Sequence, residues 1–309
     1  MSARIVVLGS LNMDLVVTVS RLPKAGETVM GDRLGTYPGG KGANQAVAVE
    51  RLGGQAAMVG RVGKDSFGES LIRNLQTNGV DSSGVGRDAD QPTGAALIIV
   101  ENGGQNMIAV AAGANLAVGR AEVERAEARL RPGDLLVMQL EVPVGVIEQA
   151  VAAGRKAGAL ILLNAAPART LERSLLRELD VLVVNEREAS ILSDQPQPAA
   201  AARALHGAGA KLVAVTLGAK GCLLCDEAGV RSVEPYQVES LDTTGAGDAF
   251  VGGLAVGLGS QLSSEEAVRL ANAAGAAAST SVGAQEALPR PGDLHRLFGL
   301  DVPSYGNTI

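Results

Sequence analysis

LDTTGAGDAFVGGLAVGLG, Leu241–Gly259, is the stretch from which the rest of the chain is read. Gly245, Ala246 and Gly247 carry almost no side chain, so their backbone N–H groups can approach an anion, and the apolar run from Ala249 onward predicts a helix that starts there. A glycine-rich turn feeding a helix N-terminus is an anion site, because unpaired N–H groups and the helix dipole both favour negative charge. Asp248 falls in the first turn of that helix. An acidic residue there stabilises a helix start with no function attached. Beside an anion hole it also suits a second role, orienting and deprotonating a hydroxyl while the hole holds a phosphate, since phosphoryl transfer asks mainly for positioning and charge stabilisation.

Outward from this motif, short apolar runs recur: Ile5–Gly9, Ala56–Gly60, Leu135–Leu140, Ala159–Leu163, Val181–Val184 and Leu212–Leu217. Lacking polar alternation, they predict strands buried on both faces. Helical segments such as Ala121–Leu130 and Val144–Gly158 lie between them, and alternating strand and helix predicts a doubly wound α/β fold, its sheet mainly parallel and covered on both sides. In such sheets the ligand crevice lies beyond the carboxyl ends of the strands. Asn12, Glu141, Asn164, Asn185 and Gly218 stand at those ends, and together they favour a small polar ligand.

Two segments, 14–35 and 93–112, break the rhythm. They are rich in Val, Ile, Thr and Gly without helical period, and they read as strands and a hairpin with ENGG, Glu101–Gly104, as its turn. Each interrupts the sheet just after a strand, so they are expected to pair as a small β lid over the crevice; an edge hairpin or a dimer contact is the alternative, and both can hold. The body is then expected at 1–13, 36–92 and 113–299, with 300–309 as a tail.

GTYPGGKGANQ, Gly35–Gln45, imitates a nucleotide-binding P-loop as far as Lys41, but Gly42 stands where the Mg²⁺-ligating Ser or Thr is needed. The likeness is accidental, and these glycines are expected to let the backbone approach another ligand and to start a helix.

The 309 residues are 46 % apolar with three Phe, three Tyr and no Trp, enough for a core of Ala, Val, Leu and Ile packed closely on glycine. A net charge of -6 with no basic tract argues against a nucleic-acid partner. The first apolar run breaks at Gly9, Asn12 and Asp14, so it does not read as a signal peptide, and no stretch approaches the about 18 apolar residues of a membrane span. A cytoplasmic protein is expected. Cys222 and Cys225 form a CxxC, but on a strand they point to opposite faces and are expected to stay reduced and buried. His206 and His295 have no ligand-like neighbours, so no zinc site is expected. No GxGxxG follows the first strand, which weighs against a dinucleotide-binding dehydrogenase.

GGKGANQAVA (Gly39–Ala48) and DTTGAGDAF (Asp242–Phe250), with GSLNMD, NMIAVAAGAN, MQLE, NAAPAR, VNEREA, TLGAKG and GAQ in order between and around them, resemble the signatures of the PfkB / ribokinase family of carbohydrate kinases. The resemblance runs from about Arg4 to Phe298. It implies an α/β kinase domain with a β lid and ATP-dependent phosphorylation of D-ribose at its 5-hydroxyl, with 2-deoxyribose or a nucleoside such as adenosine as rival substrates and an inactive sugar sensor as a remote alternative. By the same resemblance Asn12, Asp14, Gly40, Lys41, Asn44 and Glu141 bind the sugar, Asp248 is the base, and Gly245, Ala246 and Gly247 form the anion hole. Asn185 and Glu188 place Mg²⁺ and the ATP phosphates through water, and Thr216, Gly218, Gly221, Gly247 and Asn272 line the nucleotide site. A monovalent cation, usually K⁺, is implied at Asp242, Thr244, Ala278, Ser281 and Gly283, with Ala287 replacing the usual serine ligand. A homodimer formed through the lid is implied as well.

Overall fold

The computed structural model describes residues 3–101 and 105–303. Nine strands form one sheet and four form another. The strands in chain order are β1 Ile5–Leu8, β2 Asn12–Val19, β3 Gly31–Gly39, β4 Ala56–Gly63, β5 Asp81–Asp88, β6 Gly94–Glu101, β7 Asn106–Ala111, β8 Leu135–Gln139, β9 Leu160–Asn164, β10 Val181–Asn185, β11 Leu212–Thr216, β12 Cys222–Asp226 and β13 Gly229–Val233. The large sheet runs β13-β12-β11-β10-β9-β8-β1-β4-β5, parallel except where β12 and β13 return antiparallel. All six apolar runs of the sequence lie in it.

Burial on both faces explains why those runs do not alternate. Ile5 and Val7 pack into one apolar cluster, Val6 and Leu8 into the other, with helices covering each side. Cys222 belongs to the first cluster and Cys225 to the second, both as free thiols. Burial pushes the Cys222 thiol up to about 12. His206 sits in the last turn of the helix Pro198–Ala208, bonded to the Ala210 carbonyl, and His295 faces Asp301. Strand order reverses at β1, which has β8 on one side and β4 on the other. That reversal is the topological switch point, where a crevice opens beyond the strand ends.

The smaller sheet has the order β3-β2-β6-β7, so the two segments that broke the rhythm do pair with each other, through the parallel contact of β2 with β6. β2 begins at Asn12 and β3 ends at Gly39, paired with each other, so these strands reach past 14–35 in both directions and deliver the chain to the crevice. The hairpin residues 102–104 and the chain end 304–309 lie outside the described residues. Strands β5 and β13 have no counterpart among the apolar runs. They form the two edges of the large sheet, and DSSGVGRD in β5 is half exposed and polar.

Candidate functional site

Two helix N-termini face the switch point, and their backbone donors differ. In the helix Lys41–Arg51 the N–H of Lys41 donates to Glu141 Oε2 at 3.0 Å, that of Gly42 to Ser10 Oγ at 3.3 Å and that of Ala43 to the Ser10 carbonyl at 3.0 Å. The first three donors of the P-loop look-alike are therefore spent inside the protein, and no phosphate cradle remains. In the helix Ala246–Gly259 the N-cap is Gly245, held at φ +76°, with no capping side chain. The Ala246 N–H turns to the Thr243 carbonyl at 3.2 Å, while those of Gly245 and Gly247 have no acceptor among the described residues. This end is free to receive an anion.

Glycine is required where the first helix starts. Gly40 has φ +89°, and a Cβ there would lie 2.7 Å from the Asn12 nitrogen and 2.9 Å from the Leu11 Cα. This close approach locks the start of β2 onto the helix, so that Asn12 and Asp14 share one crevice with Lys41, Asn44, Glu141 and Asp248.

Asp248 is buried in the first turn of its helix. Asn44 Nδ2 donates to its Oδ2 at 2.9 Å and Gln45 Nε2 to its Oδ1 at 2.9 Å. Asn12 is buried with Oδ1 accepting from Asn115 Nδ2 at 2.7 Å, and Asn115 also grips both the N–H and the carbonyl of Leu11. Glu141 Oε2 accepts from the Ser10 hydroxyl at 2.5 Å. Asn164, at the end of β9, is taken up by Gln45, whose Nε2 donates to its Oδ1 at 3.1 Å.

Charge is unevenly compensated here. Burial, with the like charges of Glu141, Glu286 and Asp248, pushes the Asp14 carboxyl up to about 7, and no described residue donates a hydrogen bond to it. The carboxylates of Asp248, Glu141 and Glu188 draw the Lys41 ammonium above its ordinary value against the opposing effect of burial, Asp248 most strongly. Glu188 is raised by burial, partly offset by the Asn185 N–H and by Lys41. Asn185 and Glu188 form a reciprocal cap on the helix Glu186–Ser193, each accepting the other's N–H at 2.8 Å. That cap uses one oxygen of Glu188 and leaves Oε1 without a partner among the described residues.

Beyond the Ala246 helix start lies a cavity of about 240 Å³. Of the residues expected around a nucleotide it brings together Gly218, Gly221, Gly247 and Asn272, walled by Tyr236 and Phe250. Gly221, at φ +84°, is required because a Cβ would run into the Val233 carbonyl. Asn272 spends its amide hydrogens on the Val233 and Glu234 carbonyls, so it shapes the wall of the cavity and has its oxygen left for a ligand. Thr216 does not line the cavity; it lies opposite Asn185 in the β10–β11 register, with its hydroxyl turned to the Val184 carbonyl.

Asp242 organises the turn before Gly245. Its Oδ1 accepts from the Thr244 N–H and hydroxyl at 2.9 and 2.7 Å, and its Oδ2 from the Gly283 N–H at 2.9 Å. Burial works to raise this carboxyl, but those donors outweigh it and hold it below the ordinary range. Among the described residues no Lys or Arg lies within hydrogen-bond reach of Asp242, and the Ala278 carbonyl accepts a long 3.4 Å bond from the Ser281 N–H. Ala287 is buried and offers no side-chain oxygen. Among the described residues no group of three or more His, Cys, Asp or Glu side chains forms a metal cage, and no helix is long and apolar enough to cross a membrane.

Five side chains at the centre went unread in the sequence: Ser10, Gln45, Asn115, Gln139 and Gln285. Each lies within a recognisable motif, but its partner is far away along the chain.

Residues 2–291 match the sequence model of the pfkB family of carbohydrate kinases. A ribokinase of Haemophilus influenzae is 37 % identical over 294 residues, covering 94 % of this chain and 96 % of that protein. A deoxyribokinase of Salmonella typhi is 37 % identical over 254 residues, covering 80 % of this chain and 83 % of that protein. The structure of Arabidopsis thaliana ribokinase complexed with ribose and ATP matches with a TM-score of 0.87 at 32 % identity, covering 97 % of this chain and 100 % of that one.

Proposed function

Because the chain belongs to the pfkB family of carbohydrate kinases, we propose that it transfers the γ-phosphoryl group of ATP to the 5-hydroxyl of D-ribose, giving ribose 5-phosphate and ADP. The observation that carries this reading is the carboxylate of Asp248, held by two amides from the Lys41 helix at the mouth of a helix N-terminus with unpaired N–H groups. Asn12, Asp14, Gly40, Lys41, Asn44 and Glu141 bind the sugar. Gly218, Gly221, Gly247 and Asn272 serve the nucleotide, with Thr216 behind the wall at the end of β11.

Asp248 accepts the proton of the 5-hydroxyl as that oxygen attacks the γ-phosphorus. The bond from the γ-phosphorus to the β-bridging oxygen breaks, and ADP leaves with the bonding pair. Charge on the transferring group is met by the N–H groups of Gly245 and Gly247, with Ala246 between them, and by Lys41. Asn185 and the free oxygen of Glu188 would help place the Mg²⁺ that accompanies ATP, through water, and that ion would supply charge neutralisation on the phosphates. K⁺ would be held by Asp242, Thr244, Ala278, Ser281 and Gly283, where it would steady the turn into the anion hole, with water replacing the oxygen that Ala287 lacks.

The β3-β2-β6-β7 sheet, which contains the expected lid segments 14–35 and 93–112 but runs on to Asn12 and Gly39, would act as the lid on the α/β body and exclude water when the sugar is bound. Leu34, Leu97, Met107, Ile108 and Val110 are exposed on this sheet, which supports a homodimer formed through it. ATP as co-substrate and two buried free thiols support a cytoplasmic location.

2-Deoxyribose is the second reading, favoured by the likeness to the Salmonella typhi deoxyribokinase. It would leave a buried polar partner unmatched at a cost of about 1 to 3 kcal/mol. A coupled ADP-release assay across pentoses, hexoses and nucleosides tests the assignment. The largest kcat/KM is expected for D-ribose; a larger value for deoxyribose or adenosine overturns the substrate, and no sugar-dependent ADP release overturns the kinase.

A further inference from the structure

A chain of buried side-chain amides runs through the carboxylate of Asp248. Gln45 is fully buried; its Nε2 donates to Asp248 Oδ1 and to Asn164 Oδ1, and its Oε1 accepts from Gln139 Nε2 at 2.6 Å. Asn164 Nδ2 donates to the Val183 carbonyl at 3.2 Å. The other arm runs from Asp248 Oδ2 to Asn44, whose Oδ1 accepts from Gln285 Nε2 at 3.0 Å, and Gln285 Oε1 accepts from Asn74 at 2.6 Å.

The ends of this chain fix its direction. The Val183 carbonyl can only accept, so Asn164 must turn its oxygen to Gln45, and ionised Asp248 also only accepts. Both requirements aim the Gln45 NH₂ at the carboxylate. Gln139 closes the remaining position by donating to the Gln45 oxygen, although its own Oε1 has no partner among the described residues. A buried acceptor left unmatched is costly. It is tolerated where the group's other end specifies an orientation.

We propose that Gln45 is a positioning residue for phosphoryl transfer: with Gln139 fixing its amide, it sets the plane of the Asp248 carboxylate and so the oxygen presented to the sugar hydroxyl. Gln45 is buried too deeply to touch sugar or nucleotide, and it acts through Asp248. This inference rests on the reading of Asp248 as the base. Without Gln45 only Asn44 holds the carboxylate, by one oxygen, and the group is free to turn about its own bond. Misplacing a base lowers the rate of the proton-transfer step and leaves the sugar and nucleotide contacts as they were.

The test is Gln45→Met, which keeps length and removes the amide, assayed with D-ribose and ATP beside Asp248→Asn. kcat is expected to fall at least about tenfold, while KM for ribose and for ATP each stay within about twofold of wild type. A merely structural role would raise KM as the pocket loosened. Wild-type kcat overturns the proposal, and so does a fall in kcat matched by an equal rise in KM. If Gln45→Met does not fold, Gln139→Met decides: it leaves Gln45 present but unlocked, and a smaller kcat loss at unchanged KM is expected, whereas no change overturns the proposal. An active Asp248→Asn refutes the reading of the base itself; an inactive Asp248→Asn with wild-type Gln45→Met refutes only the positioning role.

Discussion

Asp14→Asn should make the free protein more stable and the enzyme worse. The carboxyl of Asp14 is moved from 3.8 to about 7, first by burial and then by Glu141, Glu286 and Asp248, and no described residue hydrogen-bonds to it. At about 1.36 kcal/mol per pH unit, ionising it in the folded state costs at most about 4 kcal/mol relative to the unfolded chain. A carboxyl whose folded pKa is raised contributes stability that is fully present below pH 3.8 and is lost as pH rises through about 7. Asparagine does not titrate, so the variant escapes that loss. Its advantage should be near zero at about pH 4, grow to about pH 7 and stay flat above it, reaching at most about 4 kcal/mol. At about 2 °C per kcal/mol for a chain of this size, that is up to about 8 °C in Tm at about pH 8. Sugar hydroxyls donating to the ionised carboxylate recover the cost on binding, so the wild-type KM for ribose should fall as pH rises through about 7, while that of the variant stays high and flat. Thermal melts of both proteins across this range, with KM measured on either side of neutrality, provide the check. An Asn variant that is no more stable in mild alkali than in acid, relative to wild type, refutes the reasoning.

Gly40→Ala forces a Cβ onto the Asn12 nitrogen at a positive φ, and a loss of at least about 2 kcal/mol in urea unfolding is expected together with a raised ribose KM. Gly247→Ala meets nothing within 4 Å and lies in a helix, so it should hold or raise Tm while lowering kcat/KM for ATP about tenfold, because its new methyl group occupies space beside the anion. Leu97→Lys places a charge among Leu34 and Met107, on the face of the small sheet opposite to Asp14, and if the chain pairs through that face light scattering should show the variant as a monomer beside a dimeric unaltered chain.

The large sheet is legible because burial on both faces leaves its strands as unbroken apolar runs, as in Leu135–Gln139 and Val181–Asn185. β5 escapes notice because an edge strand needs one buried face, and Gly84, Gly86 and Asp88 supply it without an apolar pattern. The glycine turn before an apolar helix is legible in the sequence, and the structure leaves the N–H groups of Gly245 and Gly247 without acceptors among the described residues, whereas Ser10 and Glu141 consume those of the first glycine cluster. Gln45 and Gln139 could not be read. Their bond spans 94 positions, and a lone glutamine inside an apolar helix or at a strand end carries no local sign of its partner. Asn115 is hidden in the same way, 103 positions from the Asn12 it orients.

Removal of the sugar proton by Asp248 is tested most directly by Asp248→Asn, which keeps the shape of the side chain and takes away the base. ADP release with saturating ribose and ATP should fall at least about a hundredfold while calorimetry still detects ribose binding to a folded protein. Turnover within about threefold of wild type, with ribose 5-phosphate as the product, would contradict this role for Asp248.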